Sequence, residues 1–288
     1  MKTSELIPPY PLLYEETVRH ALLEDLGRAG DLTTDGIVPA AEEGAASLVA
    51  RSPGRISGLG VALCAFRILD PRVRGEILAA DGCDVPAGER LAKVQGPARA
   101  ILSAERTALN FLGRLCGIAT ATRDIVAAVA PHTAKIVCTR KTTPGLRALE
   151  KYAVRAGGGS NHRFGLDDAV LIKDNHRFIA GGIGEAVRRV RSHAGHLVKI
   201  EVEVDSLEEL EQALSLGIDA VLLDNMPLPA LAQAVRMARG KALTEASGGI
   251  TPANAPAVAA TGVDLISLGW LTHSAPALDV SLDMLPRT

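Results

Sequence analysis

The chain has 288 residues, of which 47% are hydrophobic, and its 31 Lys and Arg residues nearly balance its 33 Asp and Glu residues. This length allows a sizeable core, and a formal net charge of −2 argues against general binding to nucleic acid or to a membrane surface. The sequence predicts no signal peptide, transit peptide or membrane span, and its four cysteines lack a metal-like spacing, so we expect a reduced, cytoplasmic setting.

The first part of the chain predicts a small α+β domain. Apolar residues recur at helical spacing from Tyr14 to Leu26, and Gly27 is placed to end that helix. Turn signals then separate three short strands and one helix, at 45–51, 73–79, 90–95 and 60–69 respectively. The Ala- and Leu-rich segment that follows predicts two consecutive bridging helices, Ala98 to Leu112 and Ile118 to Val129.

The rest of the chain alternates strands with helices. The strand candidates lie at 135–139, 169–173, 198–204, 220–223, 242–246 and 264–268. The helices between them lie at 145–156, 182–193, 206–216, 227–239 and 252–260. Six strands instead of eight favour an incomplete α/β barrel. An open doubly wound sheet is the alternative, although no GxGxxG motif follows any strand.

Basic residues cluster in three short segments that flank the predicted strands, TRK (139–141), NHR (161–163) and KDNH (173–176). The cluster comprises Arg140, Lys141, His162, Arg163 and Lys173. Because the carboxyl ends of barrel strands carry the chemistry, we expect a small polyanion as the ligand. Taken alone, His162 or His176 is more typical of a hydrogen-bonded barrel histidine than of a catalyst.

Acidic residues follow two neighbouring strand candidates. Period-two alternation in EVEVD (201–205) places Glu203 on one face with Glu201 and Asp205, and the next strand ends at Asp224. Glu203 and Asp224 together could hold Mg²⁺, whereas Glu201 and Asp205 are interpreted as structural, Asp205 as the cap of the next helix. The alternative is that these acids only neutralise neighbouring Arg and Lys side chains.

The segment EASGGITP (245–252) is typical of a phosphate site. Glycines after a strand let backbone N–H groups approach an anion, and Thr251-Pro252 are placed to begin a helix whose N-terminus attracts negative charge. Gly269, after the next strand, and His273 would lie nearby. A tight turn would explain the two glycines equally well.

Taken together, the motifs give the chain a clear resemblance to the quinolinate phosphoribosyltransferase family, the decarboxylating nicotinate-nucleotide pyrophosphorylases of NAD biosynthesis. The matching segments are EDLGRAGDLTT (24–34), AERTALNFL (104–112), TRKTTPGLR (139–147), KYAVRAGGGSNHR (151–163), LIKDNH (171–176), EVEVD (201–205), LLDNM (222–226), ASGGI (246–250) and LTHS (271–274).

The resemblance implies an N-terminal open-faced α/β sandwich followed by an incomplete, six- to seven-stranded α/β barrel. It places the sandwich domain at 1–115, joined by the C-terminal tail 275–288 that contains ALDVSLDM, and the barrel at 116–274. It also implies a homodimer with shared active sites, in which Arg106 is supplied by the partner subunit. A lone arginine on a bridging helix would otherwise be interpreted as a surface residue.

The resemblance also implies the chemistry and the residues that perform it. Quinolinate would attack 5-phosphoribosyl-1-diphosphate and lose CO₂, which gives nicotinate mononucleotide. Four residues would bind the quinolinate carboxylates: Arg140, His162, Arg163 and Lys173. The catalytic set would be Lys141 and Lys173, which face the diphosphate, with Glu203 and Asp224, which orient Mg²⁺ and the ribose hydroxyls. Substrate binding would further involve Thr139, Ser247, Gly248, Gly249, Leu268, Gly269, Trp270 and His273.

Two positions depart from the family pattern. Trp270 stands where a small residue is usual beside the phosphate glycine, and Arg177-Phe178 follow KDNH in place of a small aliphatic stretch. A ModD-like molybdenum-transport-associated accessory protein of the same fold is the main alternative, but the complete TRK, NHR and KDNH set argues against it. A nicotinate-specific enzyme is disfavoured because nicotinate has only one carboxylate to occupy so cationic a pocket.

Overall fold

The structure, a computed structural model, describes residues 6–286, which divide into two compact units. The first unit contains the described chain up to Arg123, residues 142–158 and the chain from Trp270 onward. The second contains residues 124–141 and 159–269. The boundaries 1–115 with 275–288, and 116–274, stay a prediction, and their first five and last two residues lie outside the described range.

In chain order the elements are α1 (Glu15–Leu26), α2 (Leu32–Ile37), β1 (Glu43–Ala50), β2 (Gly54–Arg55), α3 (Leu59–Leu69), β3 (Arg74–Ile77), β4 (Asp84–Val85), β5 (Arg90–Pro97), α4 (Ala98–Val129), β6 (Lys135–Val137), α5 (Arg147–Ala156), β7 (Val170–Ile172), α6 (Asp174–Ala180), α7 (Ile183–His193), β8 (Ile200–Val204), α8 (Leu207–Ser215), β9 (Ala220–Asp224), α9 (Leu228–Ala238), β10 (Leu243–Ser247), α10 (Ala255–Ala259), β11 (Leu265–Ser267), α11 (Trp270–His273) and β12 (Val280–Met284).

The first unit is built on an antiparallel sheet with the strand order β12-β1-β5-β3. Helix α3 is apolar almost all round and buries Phe66 completely, as expected of a core helix. Strand β12 pairs with β1 over Ala46↔Met284 to Ala50↔Val280, which confirms that ALDVSLDM returns to the N-terminal sheet.

The two bridging helices predicted from the sequence are in fact one helix, α4, of 32 residues. Two glycines lie between the predicted helices, and both serve close packing. A Cβ at Gly117 would lie 2.0 Å from the carbonyl oxygen of Pro276, and one at Gly113 would lie 2.9 Å from that of Leu278. The C-terminal segment passes so close that a side chain at either position would clash with it, and the helix continues through both glycines. Among the described helices, α4 included, none is long and apolar enough to cross a membrane.

The second unit contains a six-stranded parallel sheet in the order β6-β11-β10-β9-β8-β7. Each strand from β7 to β11 pairs with the next in sequence, and the first strand, β6, pairs with the last, β11. That cyclic order is the order of an α/β barrel with a gap between β6 and β7, so the predicted incomplete barrel is confirmed. In the gap, Ser160 forms a single parallel bridge with Val137.

Two details of the predicted helix starts are wrong. Helix α8 is capped by Ser206, whose hydroxyl accepts from the N–H of Glu209, and not by Asp205. Ser206 has the extended backbone that an N-cap needs, and Asp205 instead donates its backbone N–H to the Glu209 carboxylate. Helix α10 begins at Ala255 and not at Pro252.

Candidate active site

The strand register of the second unit brings three of the predicted site residues to one face of the barrel sheet. Glu203 pairs with Leu222, and Ser247 pairs with Asp224. Because side chains two residues apart share a face, Glu203, Asp224 and Ser247 lie on the same face near the carboxyl ends of β8, β9 and β10. The opposite face carries Val202 and Leu223, which are almost completely buried. The face that carries these three polar residues is therefore the interior of the barrel.

Two arginines of the predicted cationic cluster lie close enough to repel each other. Arg140 and Arg163 are both half-buried. Burial first, and then the positive charge of Arg140, hold the pKa of Arg163 below its ordinary value. Arg163 is fixed by its Nη1, which donates to the carbonyl oxygen of Ala169 at 2.7 Å. Like charges held together in a partly dry site favour the binding of an anion between them.

His162 of the predicted cluster is held by a partner at each ring nitrogen. Its Nδ1 accepts the backbone N–H of Arg163 at 2.7 Å, so the ring proton lies on Nε2, which is 3.0 Å from Oε2 of Glu201. A protonated imidazole would place two donors against each other at Nδ1. This pattern of partners is that of the Nε2–H tautomer, and the predicted carboxylate-binding role of His162 stays a prediction.

A buried carboxyl, Glu245, completes a cluster with His162 and Glu201. Its Oε1 lies 3.6 Å from Nε2 of His162, and the side chain is 2% exposed. Burial, and then the negative charge of Glu201, raise the pKa of Glu245 well above its usual range. Glu245 therefore retains a proton at pH values where an exposed glutamate has lost its own.

The same three groups lie within 4.8 Å of one another, a spacing that also suits a metal ion. The hydrogen bonding argues against one. A histidine that ligates a metal through one nitrogen normally donates its other ring N–H to an acceptor, whereas Nδ1 of His162 is itself the acceptor. We therefore interpret His162, Glu201 and Glu245 as a polar cluster in which the hydrogen bond of His162 is to Glu201, with the buried carboxyl of Glu245 beside it.

The residues predicted to hold Mg²⁺ fit that role. Nζ of Lys173 lies 2.8 Å from Oε2 of Glu203, and Oδ2 of Asp224 accepts from the side-chain amide of Asn225 at 2.8 Å. Both carboxylates are only half-buried and keep oxygen lone pairs for a hard cation or its water ligands. His176 instead accepts the backbone N–H of Lys173 through Nδ1 at the start of α6, a capping role.

The glycine loop after β10 is folded by the side chain of Asn254. Thr251 donates its N–H to Oδ1 of Asn254, and Nδ2 of Asn254 donates to the carbonyl oxygen of Gly249. These bonds hold residues 249–254 as a turn, which is why α10 starts after Asn254 and the predicted Thr251 cap does not form. A cavity of about 250 Å³ lies beside the loop, lined in part by Ser247, Gly248 and Asn254.

The remaining predicted residues fall into two groups. Thr139, Lys141, Leu268 and Gly269 belong to the second unit; Leu268 is buried, and its N–H donates to the carbonyl oxygen of Val137. Arg106, Trp270 and His273 belong to the first unit. Arg106 is exposed on α4, and Trp270 begins α11.

Arg177 and Phe178, which depart from the family pattern after KDNH, belong to the second unit. Arg177 forms an ion pair with Glu209 of α8, and Phe178 is exposed on α6.

Sequence reasoning missed two residues at this site, Glu245 and Asn225. Glu245 stands at the start of the glycine motif, and the signal that could have found it is its alternation with Ser247, which places it on the interior face. Asn225 follows Asp224 directly and was not singled out. Its backbone has a φ of 52°, and it is the only non-glycine residue with positive φ among residues 6–286.

Comparison with known proteins agrees with this architecture. The family models described as quinolinate phosphoribosyl transferase, N-terminal domain and C-terminal domain, match residues 31–116 and 118–283. The chain belongs to the quinolinate phosphoribosyltransferase family. The resemblance stated from the sequence motifs is thereby confirmed.

Curated relatives and solved structures in the family match over nearly the whole chain. A probable nicotinate-nucleotide pyrophosphorylase [carboxylating] of Bacillus subtilis is 46% identical over 95% of this chain and 94% of its own. The nicotinate-nucleotide pyrophosphorylase [carboxylating] of Mycobacterium leprae is 46% identical over 93% and 96%. The solved nicotinate-nucleotide pyrophosphorylase of Francisella tularensis is 37% identical, with a TM-score of 0.90 over 99% of this chain and 100% of that one.

Proposed function

We propose that this protein transfers the phosphoribosyl group of 5-phosphoribosyl-1-diphosphate to quinolinate and forms nicotinate mononucleotide, pyrophosphate and CO₂. The observation that carries the proposal is the half-buried pair Arg140 and Arg163 at the carboxyl end of the barrel. Two guanidinium groups match the two carboxylates of quinolinate, and each can grip one carboxylate through two parallel hydrogen bonds. Nicotinate would leave one of them without an anion.

In the proposed reaction, the pyridine nitrogen bonds to the anomeric carbon as the bond from that carbon to the pyrophosphate oxygen breaks. The carboxylate next to the ring nitrogen then leaves as CO₂, and the ring carbon takes up a proton. The contribution of Arg140 and Arg163 is to bind and orient quinolinate in a partly dry pocket. His162, which is hydrogen-bonded to Glu201, accepts the backbone N–H of Arg163 and thereby fixes where the Arg163 side chain begins.

The phosphoribosyl side of the site would involve a second set of side chains. Lys141 and Lys173 would face the diphosphate, and the loop of Ser247, Gly248 and Gly249, with Gly269, would receive the 5-phosphate. Mg²⁺, when bound with the diphosphate, would neutralise the charge of the departing pyrophosphate. Glu203 and Asp224 are the residues of this chain that would hold it, since both are carboxylates on the interior face.

We further propose a cytoplasmic homodimer in which Arg106 completes the partner's site. Two family motifs meet around this residue in the first unit: Thr107 donates to Asp25 at 3.4 Å, and Ser103 donates to Asp31 at 2.9 Å. Arg106 itself is exposed between them. Apolar side chains of the neighbouring segments are also largely exposed, as expected of a face that another subunit covers: Leu23, Leu32 and Ile37.

A substrate comparison tests the proposal. Purified protein with phosphoribosyl diphosphate and Mg²⁺ should convert quinolinate to nicotinate mononucleotide with release of CO₂, and should use nicotinate barely at all. Equal use of nicotinate would contradict the two-carboxylate assignment. No product from either acid would favour the ModD-like alternative, which no observation on the described residues supports.

A further inference from the structure

We propose that Asn225 is a positioning residue that couples the acid proposed to serve the ribose and Mg²⁺ to the loop proposed to hold the 5-phosphate. This inference rests on the proposed function. Asn225 follows β9, directly after Asp224, and reaches across to β10. One residue therefore contacts the two parts of the site that must bind opposite ends of one substrate.

The first observation is the backbone of Asn225. Its φ of 52° is a left-handed conformation, which asparagine tolerates better than most side chains. In this conformation its N–H donates to the carbonyl oxygen of Ser247 at 2.9 Å, one step beyond the last β9–β10 pair. The bond fixes the point at which the glycine loop leaves the strand.

The second observation is the side chain of Asn225. Its Nδ2 donates to Oδ2 of Asp224 at 2.8 Å, and a carboxylate can only accept, so the amide orientation is determined. The amide oxygen consequently faces Gly248. A Cβ at Gly248 would lie 2.1 Å from that oxygen, so only glycine permits this close approach. The amide thus lies against the loop on one side and holds the carboxylate of Asp224 on the other.

A consequence is that Asn225 acts on the phosphoribosyl diphosphate side of the site and not on the quinolinate side. None of its described contacts involves Arg140, Arg163 or the cluster of His162, Glu201 and Glu245. Loss of the amide should therefore weaken one substrate selectively. Loss of a merely structural residue would affect both substrates and the stability of the fold.

The test uses two substitutions at position 225, and both of the new residues tolerate a left-handed backbone. Asn225→Gly removes the amide, and Asn225→Asp keeps its shape but places a second carboxylate beside Asp224. The KM for phosphoribosyl diphosphate should rise roughly tenfold or more in both, the scale of one hydrogen bond to a charged group. The KM for quinolinate and the thermal midpoint should stay close to wild type. Gln212→Ala, which removes an exposed amide from α8, is the matched control.

A double variant checks the contact with Gly248. Gly248→Ala alone should raise the same KM, partly through its own φ of +93° and partly through the clash with the Asn225 amide. Removing that amide in the double variant Asn225→Gly/Gly248→Ala should relieve the clash. The KM for phosphoribosyl diphosphate should then rise by less than the product of the two single-variant increases.

The outcomes separate the two proposals. If wild type turns over quinolinate and both Asn225 variants keep its KM for phosphoribosyl diphosphate, the positioning role is wrong while the function stands. Equal increases in both KM values with a lower thermal midpoint would likewise overturn it, in favour of a structural role. If wild type itself forms no product from quinolinate, the proposed function and this inference fall together.

Discussion

Replacing Arg163 by lysine keeps the positive charge and removes the planar fork. Arg163 uses Nη1 to hold the carbonyl oxygen of Ala169, which leaves the Nε and Nη2 edge to receive a carboxylate. A lysine ammonium cannot maintain that contact and also form two parallel bonds to the ligand. We expect Arg163→Lys to lose about 1.5–3 kcal/mol of quinolinate binding, the value of one charge-assisted hydrogen bond. That loss corresponds to roughly a 10- to 150-fold increase in Kd.

Calorimetric titration of quinolinate into the free enzyme measures this change directly. Arg188→Lys is the matched control, because Arg188 is exposed on α7 and pairs only with Glu185 in the described structure. It should leave the Kd unchanged. Arg140→Lys should weaken binding to a similar extent as Arg163→Lys. Wild-type affinity in both pocket variants would refute the assignment of the arginine pair to the two carboxylates.

Three further predictions follow from the other parts of the site. Glu203→Gln and Asp224→Asn should each weaken activation by Mg²⁺, while quinolinate binding to the free enzyme is retained. If both variants keep the wild-type Mg²⁺ activation curve, these acids serve only as structural counter-charges. The Arg106→Ala and Arg163→Ala homodimers should each be inactive, and mixing them in equal amounts, with subunit exchange confirmed by a tag, should restore about a quarter of wild-type activity. Half of the dimers are then mixed, and each mixed dimer has one intact site of two. No recovery would place Arg106 in its own chain's site or in none. Burial raises the pKa of Glu245, so the contribution of this carboxyl to stability is complete below the ordinary pKa of 4.5 and is lost as pH rises through the raised pKa. Glu245→Gln should therefore flatten the fall of the thermal midpoint with rising pH. An unchanged slope relative to wild type would contradict the raised pKa.

The sequence by itself determined the elements and the chemistry that local patterns encode. Six apolar runs, each followed by an amphipathic segment, were sufficient to predict six parallel strands and an incomplete barrel. Strand alternation placed Glu203 on one face because the side-chain period of two is a local property. The motifs were specific enough to identify the family before any contact was known.

Tertiary structure alone decided the features that depend on distant residues. A helix with two glycines looks interrupted in sequence, and only the passage of Pro276 and Leu278 explains why α4 continues through Gly113 and Gly117. The pairing of β12 with β1 likewise joins residues more than 200 positions apart.

The same limit applies within the site. His162 has the sequence context of a cation, but its tautomer is set by Glu201, 39 residues away, and by the backbone of Arg163. The roles of Glu245 and Asn225 also depend on contacts across strands. Protonation, burial and close approach are properties of a residue's neighbours in space, and the sequence order does not specify which neighbours those are.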